Sequence, residues 1–288
     1  MNLFGVFGLG LIGTALCSRL IASGYEVVGF DPDPDRCAEL AALGGTVGTA
    51  EQVWATDAVF SCVFDTDQLA ELIAHAPSGP TCLVSMSTCD PDRMQDLADA
   101  ASERQIALIE APISGTSRAL AQGDVLLLVA GDTDAIDRLD PALRALSRQY
   151  IRVGSIGNGN RAKLAINLVL GLHRAALAEG MVFAEAIGLS ADDFLAMAKA
   201  SAAYSAVMDS KGQLMAERNF APQGRIVQSA KDFNLIRDSA TAAGQGLPFT
   251  ETYLAMMRDA LEQGEGDLDN TAILLPIART PAADNKKE

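Results

Sequence analysis

Residues 3–31 read LFGVFGLGLIGTALCSRLIASGYEVVGFD. An apolar, β-rich run (3–7) is followed by Gly8-Leu9-Gly10-Leu11-Ile12-Gly13, a helix-period segment, a second β-rich run (26–30) and Asp31. A G-x-G-x-x-G pattern carries weight only in this setting, between a strand and the start of a helix. There the first glycine makes the tight turn, the second lets backbone approach a pyrophosphate, and the third lets helix and sheet pack closely. The amides of Gly10, Leu11, Ile12 and Gly13 then open the helix at its positive dipole end, where an anionic group is favoured. Asp31 stands 18 residues beyond Gly13, where a carboxylate accepts ribose hydroxyls and repels a 2′-phosphate. The expected cofactor is therefore NAD, with NADP disfavoured; Arg36 is the nearest cation.

Working outward, short β-rich runs at 58–63, 81–85, 107–110, 125–130 and 150–153 alternate with helix-period segments at 36–43, 67–75, 91–104 and 135–146. Strand–helix alternation with nearly continuous apolar strands predicts an α/β, Rossmann-type parallel sheet covered by helices on both faces. A turn-rich loop, Gly154-Ser155-Ile156-Gly157-Asn158-Gly159-Asn160, ends the pattern. Beyond it comes a helical period at 161–187, then others at 190–201, 205–217, 226–243, 248–263 and 269–277, with no convincing strand. The expected organisation is a dinucleotide-binding domain over 1–158 and an all-α domain over 159–288, joined by a long inter-domain helix. The polar end, 280–288, is expected to fray.

Composition narrows the class. The chain has 288 residues, 49% hydrophobic, a mean hydropathy of +0.17, a net charge of −15 and a pI near 4.5. That charge argues against a broad nucleic-acid or anionic-membrane surface. The most apolar runs, 125–130 and 165–172, fall short of the roughly 20 residues a membrane crossing needs. The start reads as a strand and turn rather than a signal peptide. Five cysteines without a C-x-x-C pair read as reduced thiols, which predicts a cytoplasmic setting. No pattern of histidines, cysteines or carboxylates suggests a metal site.

Lysine is absent from residues 1–162 and then appears at Lys163, with Asn167 one turn later on the same helix face. A lysine can transfer protons when its surroundings bring its pKa toward neutrality, although a surface lysine at a helix start reads the same way in isolation. The ordered set of motifs is more specific. It comprises the glycine loop at 8–13, Met86-Ser87-Thr88, Ala111-Pro112-Ile113-Ser114-Gly115, the loop 154–159, Lys163-x-x-x-Asn167, Lys231-Asp232 and Gly266-Asp267-x-Asp269. On these motifs the chain resembles the β-hydroxyacid dehydrogenases, a family that includes 3-hydroxyisobutyrate dehydrogenase and tartronate semialdehyde reductase. The resemblance covers nearly the whole chain.

It implies that Lys163 is the catalytic acid/base and Asn167 its substrate-orienting partner. It also implies that Ser114, Gly115 and the adjoining Thr116 hold the substrate carboxylate, and that Thr88 and Lys231 meet the nicotinamide half of the cofactor. The implied activity is hydride transfer between NAD and a small hydroxy acid or semialdehyde. The implied second domain is like that of 6-phosphogluconate dehydrogenase and associates into a homodimer or homotetramer, with Leu177, Met181 and Ala184 marking an apolar second half of the long helix. Thr116 stands where many members have a second glycine, and Gln223-Gly224 where a glycine and an aromatic residue are common, which points to a larger or more polar substrate pocket. An imine reductase of the same architecture and a non-catalytic dinucleotide sensor are the alternatives. Imine reductases generally lack the lysine, and a sensor has no need of both Lys163 and Asn167.

Overall fold

Successive side chains on the strands turn to opposite faces, and each face has its own core. Phe4 and Val6, Ala58 and Phe60, Cys82 and Val84 belong to one cluster, whereas Phe7, Val59, Leu83 and Leu108 belong to the other. The first cluster is closed by Leu16 and Leu20 of the helix Leu11–Ala22 and by Ile136, Leu139 and Leu143 of Thr133–Leu146. The second is closed by Leu69 and Ile73 of Thr66–Ala74 and by Met94, Leu97 and Ala101 of Met94–Glu103. Burying each leucine of this kind stabilises the fold by about 1.5–3 kcal/mol.

The computed structural model describes residues 1–79 and 81–281. Most of the end that was expected to fray, from residue 282 onward, lies outside the described residues. The described strands are β1 (Leu3–Phe7), β2 (Glu26–Phe30), β3 (Thr46–Val47), β4 (Ala58–Ser61), β5 (Thr81–Ser85), β6 (Ile106–Glu110), β7 (Ile113–Ser114), β8 (Leu126–Gly131) and β9 (Gln149–Gly154). They form one sheet in the order β3-β2-β1-β4-β5-β6-β8-β7, with β9 also paired to β8. From β3 to β6 all pairs are parallel, as expected. The sheet is not parallel throughout: β8 runs antiparallel to β6 and β7, and β9 follows β8. The connection from β6 to β8 explains the reversal. It contains only β7 and the five-residue helix Ser117–Ala121, with no long crossover helix to return the chain to the other end of the sheet.

After β9 the regular elements among the described residues are helices, joined by turns and loops and by an isolated bridge between Arg225 and Asp269. The long helix runs Asn158–Ala186 and starts three residues earlier than its apolar period suggests. By compactness the chain divides into two units, Met1–Ile166 and Asn167 onward, and this break falls inside the long helix. The reason is local: the first turn of the helix is bound to β6 through Glu110. As a single helix, Asn158–Ala186 is long and apolar enough to cross a membrane, although its uninterrupted apolar runs are short. Lys163 and Arg174 are buried along it, which suits a helix packed in protein rather than lipid.

The second unit contains the helices Ala191–Ala200, Ile226–Ala242 and Pro248–Glu262, among others. The helical period at 205–217 is interrupted by a π turn, Met208–Gly212, which carries Lys211. Lys211 Nζ donates to both oxygens of Asp269, at 2.9 and 2.8 Å, and both residues are buried. The Asp269 carboxylate also accepts from the amides of Gln223, Gly224 and Thr271. Asp269 of the Gly266-x-x-Asp269 motif thus fixes the segment 219–225.

Candidate functional site

Strand order reverses between β1 and β4, and the glycine loop lies at the C-terminal end of β1. Ligands of open α/β sheets bind at such a point. Gly8 has φ +83°, and a side chain there would come within 2.8 Å of the Cys62 carbonyl oxygen. A side chain at Gly13 would collide with the Gly8 carbonyl oxygen, so Gly13 keeps loop and helix together. Gly10 is different. A Cβ there would meet only Arg36 Nη1, at 3.9 Å, so the protein's own packing does not demand a glycine.

The helix that follows has no side-chain cap. By contrast, Asp65 and Asp132 cap Thr66–Ala74 and Thr133–Leu146. The opening amides around Leu11 and Ile12, both half-buried, therefore stand where a pyrophosphate would receive them. An uncapped helix start beside an unneeded glycine fits a dinucleotide.

Asp31 follows β2 directly, and its side chain is 3% exposed. Its Oδ2 accepts from Leu9 N at 2.7 Å and from Arg36 Nη1 at 3.3 Å, and its Oδ1 accepts from Asp33 N at 2.9 Å. The carboxylate thus shapes the glycine loop, a role that its position after β2 does not reveal. Arg36 also pairs with Asp33, at 3.4 Å.

Thr88 is half-buried in the loop after β5. That loop is pinned by Met86 N to Ser61 O, Ser87 Oγ to Val63 O, Cys89 N to Asn160 Oδ1 and Asp90 N to Thr66 Oγ1. Ser114 pairs with Leu126 in the sheet. Gly115 is exposed, and a Cβ there would stand 2.7 Å from Val125 Cγ1. Thr116 caps Ser117–Ala121, its hydroxyl accepting from Ala119 N at 3.1 Å. The departure from a second glycine therefore has a structural use. Arg118 is exposed on that short helix.

Lys163 is buried, at 8% exposure, on the second turn of the long helix. In the first unit it stands one turn beyond Asn160, whose amide and side-chain nitrogens both donate to Glu110, at 3.0 and 2.6 Å. Gly157 N is a third donor to this fully buried carboxyl. Burial pushes the Glu110 carboxyl above its ordinary value, against the pull of these N–H groups. In the second unit Asn167 Nδ2 donates to Asp232 Oδ2 at 2.8 Å, and Lys231 Nζ lies 3.2 Å from Asp232 Oδ1. Asp232 belongs to a motif that assigns it no role, and no motif assigns one to Glu110 or Asn160. Glu110 had a signal, a charge closing an otherwise apolar strand. Gln223 and Gly224, read as pocket departures, donate their amides to Asp269. Among the described residues no group of His, Cys, Asp and Glu is arranged to hold a metal ion.

Residues 3–154 match the family profile described as the NAD binding domain of 6-phosphogluconate dehydrogenase. Residues 157–277 match the profile described as NAD-binding of NADP-dependent 3-hydroxyisobutyrate dehydrogenase. Glyoxylate/succinic semialdehyde reductase 1 of Arabidopsis thaliana is 27% identical over 282 residues, covering 94% of this chain and 96% of that protein. The cytokine-like nuclear factor N-PAC of Drosophila melanogaster is 25% identical over 281 residues, covering 94% of this chain and 47% of its own length. The chain thus spans about half the length of that relative. Among solved structures, 3-hydroxyisobutyrate dehydrogenase from Salmonella typhimurium superposes with a TM-score of 0.87 at 26% identity, covering 96% of this chain and 99% of that one.

Proposed function

Because this chain belongs to the β-hydroxyacid dehydrogenase family, we propose that it is an NAD-dependent oxidoreductase acting on a small hydroxy acid or its semialdehyde, with Lys163 as general acid/base. The observation that carries the proposal is a buried lysine one turn from Asn167, on a helix whose start is fastened to the sheet that bears the glycine loop. A bound nicotinamide supplies the hydride acceptor or donor. In the oxidative direction Lys163 Nζ, as the neutral amine, takes the substrate hydroxyl proton; in reduction its ammonium returns a proton to the forming alkoxide. Asp232 holds the amide nitrogen of Asn167, which turns the carbonyl side of that amide away to orient the substrate. The Ser114 hydroxyl and the Gly115 N–H hold the substrate carboxylate, with Thr116 bordering them, and Thr88 and Lys231 meet the nicotinamide half. A panel of hydroxy acids assayed with NAD and NADP, by absorbance of the reduced cofactor, tests the reading.

Two neighbouring carboxylates, Asp31 and Asp33, support a preference for NAD, because they repel a 2′-phosphate and Arg36 is engaged with both. We expect kcat/KM to favour NAD over NADP by tenfold or more, about 1.4 kcal/mol. Asp31→Asn should narrow that ratio and lower the melting temperature, because Leu9 N and Asp33 N then lose a charged acceptor. A wild-type preference for NADP would reverse the cofactor assignment.

A homodimer or homotetramer through residues 159–288 belongs to the same proposal, with a correction to its basis. Leu177, Met181 and Ala184 are buried within the second unit and are not available to a partner, whereas Val169 and Phe183 on the same helix and Ile187 just beyond its end are 53%, 63% and 60% exposed. Light scattering should give a mass of at least twice 30 kDa, and Phe183→Glu with Ile187→Glu should lower it. A monomer at micromolar concentration removes this part. A cytoplasmic, reducing location is also proposed, supported by five cysteines that are free thiols. The likeness to N-PAC favours one second reading, a dinucleotide-binding module without turnover. Cofactor binding with no activity across the acid panel would select it.

A further inference from the structure

The carboxyl of Glu110 is fully buried and closes β6. Its acceptors are used by Gly157 N and Asn160 N, at the start of the long helix, and by Asn160 Nδ2. An asparagine amide has a donor end and an acceptor end, and a carboxylate can meet only the donor end. Glu110 therefore fixes which way the Asn160 amide faces. The oxygen end is thereby turned to Cys89, whose amide donates to it at 2.7 Å. Cys89 follows Thr88 directly, and Lys163 follows Asn160 by one helical turn. One buried chain of hydrogen bonds thus joins the end of β6, the helix that carries Lys163 and the loop that carries Thr88, all within the first unit.

We infer that Glu110, acting through Asn160, is a positioning residue that sets where the Lys163 amine stands relative to a nicotinamide held by the Thr88 loop. The inference rests on the proposed role of Lys163. Misplacing a reacting group by about 1 Å can cost on the order of 100-fold in rate, so a clamp of this kind acts on kcat. Glu110→Gln keeps the size but replaces one acceptor oxygen with an NH₂ group. That group either opposes Gly157 N–H or turns the Asn160 amide around and deprives Cys89 N–H of its acceptor. Asn160→Ala removes the bridge alone and leaves the Gly157 bond to Glu110 in place.

The test compares wild type, Glu110→Gln, Asn160→Ala and the double variant by three readouts. Per folded molecule, kcat should fall about 10–100-fold in each single variant, and the losses should not add in the double variant. NADH affinity, read by nicotinamide fluorescence, should change less than threefold, because the glycine loop and Asp31 are untouched. Hydrogen exchange of the cofactor-free protein should rise in the peptide covering 86–90 in Asn160→Ala, which removes the acceptor of Cys89 N. Glu110→Gln with Asn160→Asp should recover part of kcat, since an aspartate accepts from both the new amide and Cys89 N.

A wild-type kcat in Glu110→Gln or in Asn160→Ala overturns the inference, as does a lowered kcat in Asn160→Ala with unchanged exchange at 86–90. If Glu110→Gln does not fold, Asn160→Ala carries the test alone. Lys163→Ala separates the two levels. Should it abolish turnover while the clamp variants leave kcat intact, only the clamp fails; should it keep turnover, the role of Lys163 fails first.

Discussion

Replacing Lys163 with alanine is expected to lower kcat by about 10²–10⁴-fold, the usual contribution of a positioned acid or base. The cost should fall on the chemical step. Lys163 stands on the long helix, whereas the groups suited to the adenosine half of the cofactor, Asp31 and the loop 8–13, are held by β1, β2 and each other. NAD affinity should therefore change little. Lys163→Arg should be nearly as damaging, because a guanidinium keeps its proton at any working pH and cannot take one from the substrate. In the wild type the oxidative rate should rise with pH as the amine is freed of its proton, and both variants should lose that limb. Asn167→Ala should raise KM as well as lower kcat, and it also leaves Asp232 with one donor fewer. Lys231→Ala should weaken cofactor use more than Lys163→Ala does. Wild-type turnover in Lys163→Ala, with an identified substrate, would require a different proton-transfer group.

What was legible in the sequence follows from what periodicity can carry. The alternation of apolar runs gave the α/β first half, and the change after Gly154 gave the helical second half, because both are repeated patterns of burial. The short elements Thr46–Val47 and Ile113–Ser114 were not legible, since two residues contain no period. Nor was the reversal of β8, which depends on how the chain turns after Pro112 rather than on any residue within the strand. The glycine loop could be read because each glycine answers a separate steric demand. Glu110, Asn160 and Asp232 could not, because their meaning lies in partners 50 to 65 residues away. The same holds for Leu177, Met181 and Ala184. An apolar residue on a long helix fits a core and a subunit interface equally well until burial separates them.

The largest loss of stability is expected from Asp269→Ala, about 3–5 kcal/mol for the helical unit, read from its melting or urea transition. Two costs combine. The Lys211 ammonium, 6% exposed, is left buried without its counter-charge, with Arg174 close enough to oppose it. The amides of Gln223, Gly224 and Thr271 lose their shared acceptor, each buried donor left unsatisfied costing about 1–3 kcal/mol. Lys211→Met should cost less, because Asp269 keeps those three amides and only the ammonium is removed. The reverse ranking, or a loss below about 1 kcal/mol for Asp269→Ala, would mean that the buried pair is not what holds the segment 219–225. The effect should depend on pH with a definite sign. Burial by itself would push the Asp269 carboxyl up, but the Lys211 charge and hydrogen bonds, with the amides of Gln223 and Thr271, together hold it below the usual carboxylate range. A carboxyl depressed in the folded state contributes stability that is present above its unfolded pKa, near 3.9, and is lost as pH falls through the folded value. The stability gap between wild type and Asp269→Asn should therefore be full at neutral pH and should shrink as the pH drops below about 4. A gap that stayed constant into strong acid would show that the carboxylate's charge contributes nothing beyond the shape of its hydrogen bonds.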